Sequence, residues 1–254
     1  MILHAILGLP PLALAALFAV FVFGGIVKGV TGVGLPLVLV PLAAQFIDIP
    51  VAVALVIGAQ VATNVTQAAE GGHTLAAIRA NWPVLIMLVA GTLIGVHVLI
   101  SIDRHRLDLI LGAGFLVLAA MLLFLRRVRI GERAARWAGP AVGFTAGVLG
   151  GMSAMFGPPL IAYLLGRGTD PNSFVKQMAI FALTASATML LALGGSGTMA
   201  LADFLISAGA IIPIGLGMPL GRWLRRRINP DMFRLAVLAI LAVSGLDLLR
   251  KALY

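Results

Sequence analysis

The sequence contains no cysteine and only four histidines, and these absences exclude or disfavour several kinds of functional centre. Without cysteine the chain forms no disulfide, no thiolate metal site and no iron–sulfur cluster. His4, His73, His97 and His105 show no HExxH or other paired spacing, which argues against a metalloenzyme. No nucleophile, base and orienting residue can be assembled among the apolar runs either. We therefore expect no metal, no cofactor and no enzymatic activity.

Charge is also scarce. Only 11% of the 254 residues are charged and 61% are hydrophobic, with a mean hydropathy of +1.11, whereas soluble domains are about 25% charged. The formal net charge of +9 comes from arginines in short connectors between apolar runs, which is typical of cytoplasmic membrane loops rather than of nucleic-acid binding. The expected partner is the lipid bilayer, with no nucleic acid. The oligomeric state is left open.

The apolar runs are long, continuous and rich in Leu, Ala, Val and Gly, which indicates a polytopic α-helical protein rather than a β-barrel. Several runs are too short to cross a bilayer alone, so the fold class is an all-α membrane protein with eight to ten membrane segments. The runs occupy residues 5–27, 33–47, 51–69, 83–101, 107–125, 138–149, 153–166, 174–193, 203–221 and 232–249.

The chain repeats itself. Residues 25–32 align with residues 143–150, and the same register places Pro41 on Pro159. Further along, Gly91 and Gly95 correspond to Gly217 and Gly221, and Ile102, Leu107 and Leu109 correspond to Ile228, Phe233 and Leu235. The chain is thus interpreted as two halves, residues 1–127 and 128–254, within one membrane domain.

Each half opens with a glycine cluster followed by prolines, and then carries three longer apolar runs. Glycine weakens a helix by up to about 1 kcal/mol relative to alanine, so each cluster predicts two short helices that meet at an unwound stretch. Discontinuous helices at matching places in two halves point to a transporter's binding site. Close helix packing is the alternative, and we prefer it for Gly91, Gly95, Gly217 and Gly221.

The two motifs GGIVKGVTGVGLPLVLVPL (24–42) and GFTAGVLGGMSAMFGPPL (143–160) resemble the glycine-rich, proline-terminated signature of the sulfite exporter TauE/SafE family, with one copy in each half. The resemblance implies a permease for sulfite, organosulfonates or related small anions. A secondary transporter that works by alternating access is then expected, and an anion channel or an uptake permease for another carboxylate or oxyanion is the alternative.

Lys28 lies inside the first glycine cluster. Its side chain either contributes to an anion site or snorkels to the membrane interface, and both interpretations remain possible. Gln60, Thr63, Asn64 and Gln67 share one helical face, as do Gln177, Thr184 and Thr188, and either face suits an oxyanion or interhelical contacts. The candidate substrate-binding residues are Lys28, Gly29, Thr31, Gly32, Gly34, Gln60, Thr63, Asn64, Gln67, Gly147, Gly150, Gly151, Ser153, Gln177, Thr184 and Thr188.

Other ionisable residues receive weaker assignments. His97 is interpreted as a packing residue, and coupling of transport to protons through it is the alternative. Glu70, Asp203 and Asp247 lie near the ends of apolar runs, where we expect them to be solvated or to snorkel.

The placement of Lys and Arg predicts the topology. If each half crosses an odd number of times, the two halves are inverted repeats, each a glycine- and proline-broken hairpin plus three transmembrane helices. The protein is then a multi-pass protein of the cytoplasmic (inner) membrane with both termini outside. Thirteen basic residues share the cytoplasmic side: Arg79, Arg126, Arg127, Arg129, Arg133, Arg136, Arg167, Lys176, Arg222, Arg225, Arg226, Arg227 and Arg234. Four lie on the other side: Arg104, Arg106, Arg250 and Lys251.

Overall fold

A computed structural model describes residues 2–31, 35–69, 74–124, 131–224 and 230–253, and every regular element in these ranges is an α-helix. The expected all-α fold class is therefore confirmed for the described chain. The helices are α1 (Ile2–Leu7), α2 (Pro11–Thr31), α3 (Leu35–Ala43), α4 (Ile49–Ala69), α5 (Thr74–Ser101), α6 (Arg104–Phe124), α7 (Glu132–Ser153), α8 (Gly157–Gly166), α9 (Pro171–Gly195), α10 (Leu201–Gly209), α11 (Ile211–Leu224) and α12 (Pro230–Leu253).

Two expected runs are each divided between two helices. The run at 5–27 is split before Pro11, because proline is favoured at the first position of a helix and restricts the residue before it. The run at 203–221 is split at Ala210, three residues before Pro213. Since Pro213 has no N–H to donate to the preceding turn, the α-helical bond pattern is interrupted there.

Four segments of the described chain are long and apolar enough to cross a membrane: Pro11–Val30, Thr74–Ser101, Ser173–Gly195 and Leu201–Leu224. Ile49–Val65 and Gly157–Gly166 form shorter apolar helices. Many large apolar side chains of the long segments are exposed, as expected for surfaces that face lipid. The short helix α3, by contrast, buries nearly all of its side chains, and so does the first half of α4. These two helices form the centre of the bundle.

Glycines bring two pairs of helices into backbone contact. Gly91 and Gly95 of α5 lie against Gly147 and Gly151 of α7, and a Cβ added at Gly95 would approach the Cα of Gly151 to 2.9 Å. In the same way, Gly217 and Gly221 of α11 pack on α2, and a Cβ at Gly221 would lie 2.8 Å from the Cα of Gly29. The packing interpretation of Gly91, Gly95, Gly217 and Gly221 is therefore confirmed.

The directions of neighbouring helices follow from the same contacts. Gly143, Gly147 and Gly151 of α7 face successive positions of α5 from Val84 to Thr92, so these two helices run parallel. Helices α6 and α12 run antiparallel, because Gly112 faces Leu249 whereas Gly245, earlier in α12, faces Leu116, later in α6. Helix α9 packs along α4, and Lys176 near its start donates to the carbonyl of Ala68 near the end of α4 at 2.7 Å. This pair is therefore antiparallel as well.

Asp203 is not solvated as expected, because its side chain is only 2% exposed. Its Oδ1 accepts from the amide of Ile2 at 2.6 Å and its Oδ2 from the amide of Ala200 at 3.1 Å, at the start of α10. Backbone donors at a helix N-terminus satisfy the carboxylate inside the protein. Asp247 is half-buried and pairs with Arg250 and Lys251, and Glu70 lies outside the described residues.

Candidate functional site

A cavity of about 40 Å³ lies where the two glycine- and proline-rich regions meet. Helices α2 and α3 contribute the first region and the α7–α8 connection the second, while α4 and α9 close the remaining sides. The cavity holds only a few water-sized groups, so a larger occupant requires neighbouring side chains to move. Its lining residues are Lys28, Leu35, Pro36, Leu37, Gln60, Asn64, Ala154, Met155, Phe156, Gly157, Leu160, Met178, Ala179 and Ala182.

Lys28 provides the positive charge of this cavity. The residue is 4% exposed, so its amine does not snorkel to an interface. Its Nζ donates to Thr63 Oγ1 at 2.8 Å and to Asn64 Oδ1 at 3.3 Å, and both acceptors are neutral. Within the described ranges no Asp or Glu forms an ion pair with Lys28. An ammonium has three N–H donors, so the two bonds leave one donor for a ligand.

Helix α4 orients the acceptors of Lys28. The hydroxyl of Thr63 donates to the carbonyl of Ala59 at 2.9 Å, one turn earlier, and this bond orients the oxygen that accepts from Nζ. The Oε1 of Gln60 and the Nδ2 of Asn64 are buried and have no hydrogen-bond partner among the described residues. Unpaired buried polar atoms cost free energy, and both residues line the cavity. Together with Lys28 they supply polar groups for a small polar or charged ligand.

The α7–α8 connection is shaped by an unusual backbone. Ala154 has φ 61°, in the left-handed region, and it ends α7 with a hydrogen bond from its amide to the carbonyl of Gly150. The hydroxyl of Ser153 donates to the carbonyl of Leu149 at 2.7 Å and accepts from the amide of Met155 at 3.3 Å. These bonds satisfy backbone groups where the helix stops and direct Met155 and Phe156 into the cavity wall.

Gly150 leaves room for the ring of Phe156. A Cβ added at Gly150 would overlap this ring, which is 2% exposed and lines the cavity. Gly150 therefore acts on the cavity through Phe156 rather than by lining it.

Two short helices begin at the cavity. Leu35 and Pro36 start α3, and Gly157 starts α8. The positive ends of both helix dipoles are therefore directed at the same space as Lys28. Pro158 and Pro159 carry no N–H, so the amide that the first turn of α8 offers is that of Gly157. The arrangement of one ammonium, the unpaired Nδ2 donor of Asn64 and two helix N-termini is suited to a small anion.

The structure brings together only part of the predicted residue set. Lys28, Gln60 and Asn64 line the cavity, and Thr63 contacts Lys28. Gly150 and Ser153 shape the α7–α8 connection behind it. Gly29 faces Met218 and Gly221 of α11, and Gly147 and Gly151 face α5, so these three glycines contact helices rather than the cavity.

The remaining predicted residues lie beside the cavity or outside the described set. Gln177 precedes the lining residue Met178, and its Oε1 is buried without a described partner. Thr188 donates to the carbonyl of Thr184 in its own helix at 2.8 Å, and neither threonine lines the cavity. His97 is exposed, with its Nδ1 3.5 Å from Ser101 Oγ. Gly32, Gly34 and the side chains of Thr31 and Gln67 lie outside the described residues.

Sequence analysis did not identify the apolar part of the lining. Met155, Phe156, Leu160 and Met178 form much of the wall. Met155 and Phe156 could have been found from their position between the second glycine cluster and Pro158. If the interruption between two short helices lines a site, the residues within it are expected to form part of the wall.

Comparisons with known proteins agree with this architecture. The family model described as sulfite exporter TauE/SafE matches residues 17–248. The chain is also similar to a protein of Comamonas testosteroni named probable inner membrane transporter protein TsaS, with 29% identity over 175 residues that cover 67% of this chain and 71% of the relative. No solved structure gives a significant match. Because the family model covers nearly the whole chain, the protein belongs to the sulfite exporter TauE/SafE family of membrane transporters.

Proposed function

We propose that this protein is a secondary transporter that moves a small oxyanion, sulfite or an organosulfonate, through the cavity between the two broken regions. The observation that carries the proposal is the buried amine of Lys28, which faces this cavity and donates to two neutral acceptors among the described residues, Thr63 and Asn64.

The energetics of Lys28 favour an anionic substrate. Removing a charged side chain from water costs free energy unless the charge is paired, and Lys28 is buried in the last turn of α2. Two neutral hydrogen bonds offset part of this cost, and an anion in the cavity would offset more of it. The family name points to sulfite, and a sulfonate group offers the same kind of charged oxygens to Nζ of Lys28 and to Nδ2 of Asn64.

We further propose that residues 1–127 and 128–254 are inverted repeats. The sequence register makes α6 equivalent to α12 and α4 equivalent to α9, and both of these pairs run antiparallel. An axis in the membrane plane reverses the direction of equivalent helices, whereas an axis along the membrane normal preserves it. The matched packing of α2 on α11 and of α7 on α5 also supports this relation.

Alternating access follows from such an arrangement. A site between two inverted halves can be exposed to either side when one half rocks against the other. The cavity is small, so passage of an anion requires it to widen. The proposed location is the inner membrane, as for the Comamonas relative, with both termini outside and residues 126–136 cytoplasmic.

Two alternatives share this geometry. A channel would use Lys28 as a selectivity charge, and an uptake permease would bind another oxyanion or a short carboxylate. Coupling to protons is compatible with each of them.

The experiment that tests the proposal is flux into liposomes that contain the purified protein. We expect sulfite uptake to saturate with concentration and to be accelerated by unlabelled sulfite on the opposite side. A carrier must reorient its binding site before it can bind the next anion, and substrate on the opposite side speeds this return. Competition by sulfate, thiosulfate, sulfoacetate and short carboxylates ranks the substrates. Flux that rises linearly without acceleration would establish a channel and contradict the proposal.

A further inference from the structure

A second and larger cavity, of about 350 Å³, lies at the start of α5 and α7. Arg136 of α7 and Arg167 at the end of α8 line it together with the hydroxyl-bearing ring of Tyr163. Pro83 and Pro140, with Val84, form its apolar wall. No Asp or Glu is among the described residues that line it, so its character is cationic on one side and apolar on the other.

Tyr163 and Arg167 are held in place by hydrogen bonds that leave donors free. The guanidinium of Arg167 lies 5.3 Å from the centre of the Tyr163 ring, and its Nη1 donates to Asn81 Oδ1 and to the Tyr163 hydroxyl, each at 3.4 Å. The Tyr163 hydroxyl in turn donates to the carbonyl of Ala135 at 3.3 Å. A guanidinium has five N–H donors, and two long bonds leave most of them for a ligand.

The acidic residue nearest to Arg167 along the chain is Asp170, which is not among the residues that line the cavity. The Oδ1 of Asp170, three residues after Arg167, accepts from the amide of Ser173 at 3.0 Å and stabilises the start of α9. Arg136 is exposed at the other side of the cavity.

The surroundings of the cavity are those of a membrane interface. Trp82 and Trp137 are 59% and 79% exposed and are adjacent in sequence to the lining residues Pro83 and Arg136. Exposed tryptophans are typical of the headgroup level of a bilayer. Arg136 and Arg167 also belong to the basic set that predicts the cytoplasmic side, where anionic lipids attract basic segments.

We propose that this cavity binds the phosphate of an anionic phospholipid from the cytoplasmic leaflet. The two arginines hold the phosphate oxygens, and the apolar wall faces the glycerol end of the lipid. A soluble phosphate has the same charged oxygens, but it would gain nothing from the apolar wall or from the interfacial position. The site lies apart from the cavity that contains Lys28, and its function does not depend on transport through that cavity.

The test measures thermal stabilisation of the detergent-purified protein by added phosphatidylglycerol, phosphatidylcholine or inorganic phosphate. We expect stabilisation by phosphatidylglycerol only, with an apparent affinity that falls about fivefold in Arg136→Gln, the effect of one lost basic contact near an anionic surface. Arg222→Gln removes the same charge from an exposed position outside the cavity and should leave the affinity unchanged. Arg136 is exposed, and no hydrogen bond of its side chain is seen among the described residues, so we expect its variant to fold without lipid.

Three outcomes would overturn the proposal. Equal losses in Arg136→Gln and Arg222→Gln would show diffuse attraction to the charged face. Equal stabilisation by phosphatidylcholine would show that charge is not recognised. Stabilisation by inorganic phosphate, lost in Arg136→Gln and not given by phosphatidylglycerol, would assign the cavity to a soluble anion instead of a lipid.

Discussion

Ala154 holds a left-handed backbone at the point where α7 ends and the cavity begins. This conformation costs a residue with a Cβ about 1–2 kcal/mol. The hydrogen bonds of Ser153 and the packing of Phe156 keep the backbone in place. Strain of this kind is often retained at functional sites. Because relief of the strain should change the stability of the protein, substitution of Ala154 tests the local backbone geometry.

Replacing Ala154 with glycine should stabilise the protein by up to about 1 kcal/mol, because glycine adopts positive φ without a steric cost. The matched control is Ala146→Gly, also fully buried but in the regular part of α7, which should destabilise by about 1 kcal/mol or more. Unfolding of both variants in detergent measures the difference. Loss of stability in both would show that Ala154 is not strained.

Gly150 is required by its contact with Phe156. Gly150→Ala places a Cβ in the space of the ring, so the ring must shift within the cavity wall. We expect a large loss of sulfite flux with membrane insertion retained. Gly114→Ala in α6, where a Cβ meets nothing within 4 Å, is the control and should transport normally. Normal flux in Gly150→Ala would show that the position of the Phe156 ring does not matter for transport.

At the level of elements, the contact between α2 and α11 depends on backbone proximity. A Cβ at Gly217 would collide with the carbonyl of Val22, whereas a Cβ at Gly215 in the same helix meets nothing within 4 Å. Gly217→Ala should therefore destabilise by about 1–3 kcal/mol, while Gly215→Ala should be neutral or stabilise by up to about 1 kcal/mol. Unfolding midpoints of the two variants measure this, and equal midpoints would contradict the packing.

Sequence patterns predicted most of the elements because apolar runs and Gly/Pro punctuation determine where membrane helices begin and end. They also assigned Lys28, Gln60 and Asn64 to one site, since a polar helical face and an isolated charge among apolar residues are seldom found without a binding or packing role. They did not reveal whether the glycines of a helix face the cavity or a neighbouring helix. Gly29, Gly147 and Gly151 therefore appeared to be site residues although they contact neighbouring helices.

Three further features had no sequence signal. Alanine favours the helical conformation, so nothing in the sequence predicted the left-handed backbone of Ala154. The hydroxyl of Thr188 bonds to a carbonyl of its own helix, an option open to any helical threonine, and periodicity alone cannot distinguish this from a site role. The burial of Asp203 depends on the amide of Ile2, which is distant in sequence.

For the whole molecule, inverted repeats predict where connections lie. If the halves are inverted, each crosses the membrane an odd number of times, and the start of α7 and the end of α12 should be on opposite sides. The chain has no cysteine, and single cysteines at Gly131 and Leu253 can be labelled without background. We expect labelling from the cytoplasmic side at 131 and from the outside at 253. Labelling of both from one side would contradict the inverted arrangement.

The central proposal is that Lys28 is the charge that meets the transported anion between the two halves. Its most direct test is the affinity of the purified protein for sulfite in wild type and in Lys28→Gln, with Lys251→Gln as an equal loss of charge at the end of α12. We predict that Lys28→Gln weakens binding more than tenfold, or at least about 1.4 kcal/mol, that Lys28→Arg retains part of the affinity, and that Lys251→Gln binds as wild type. Unchanged affinity in a folded Lys28→Gln protein would contradict the account.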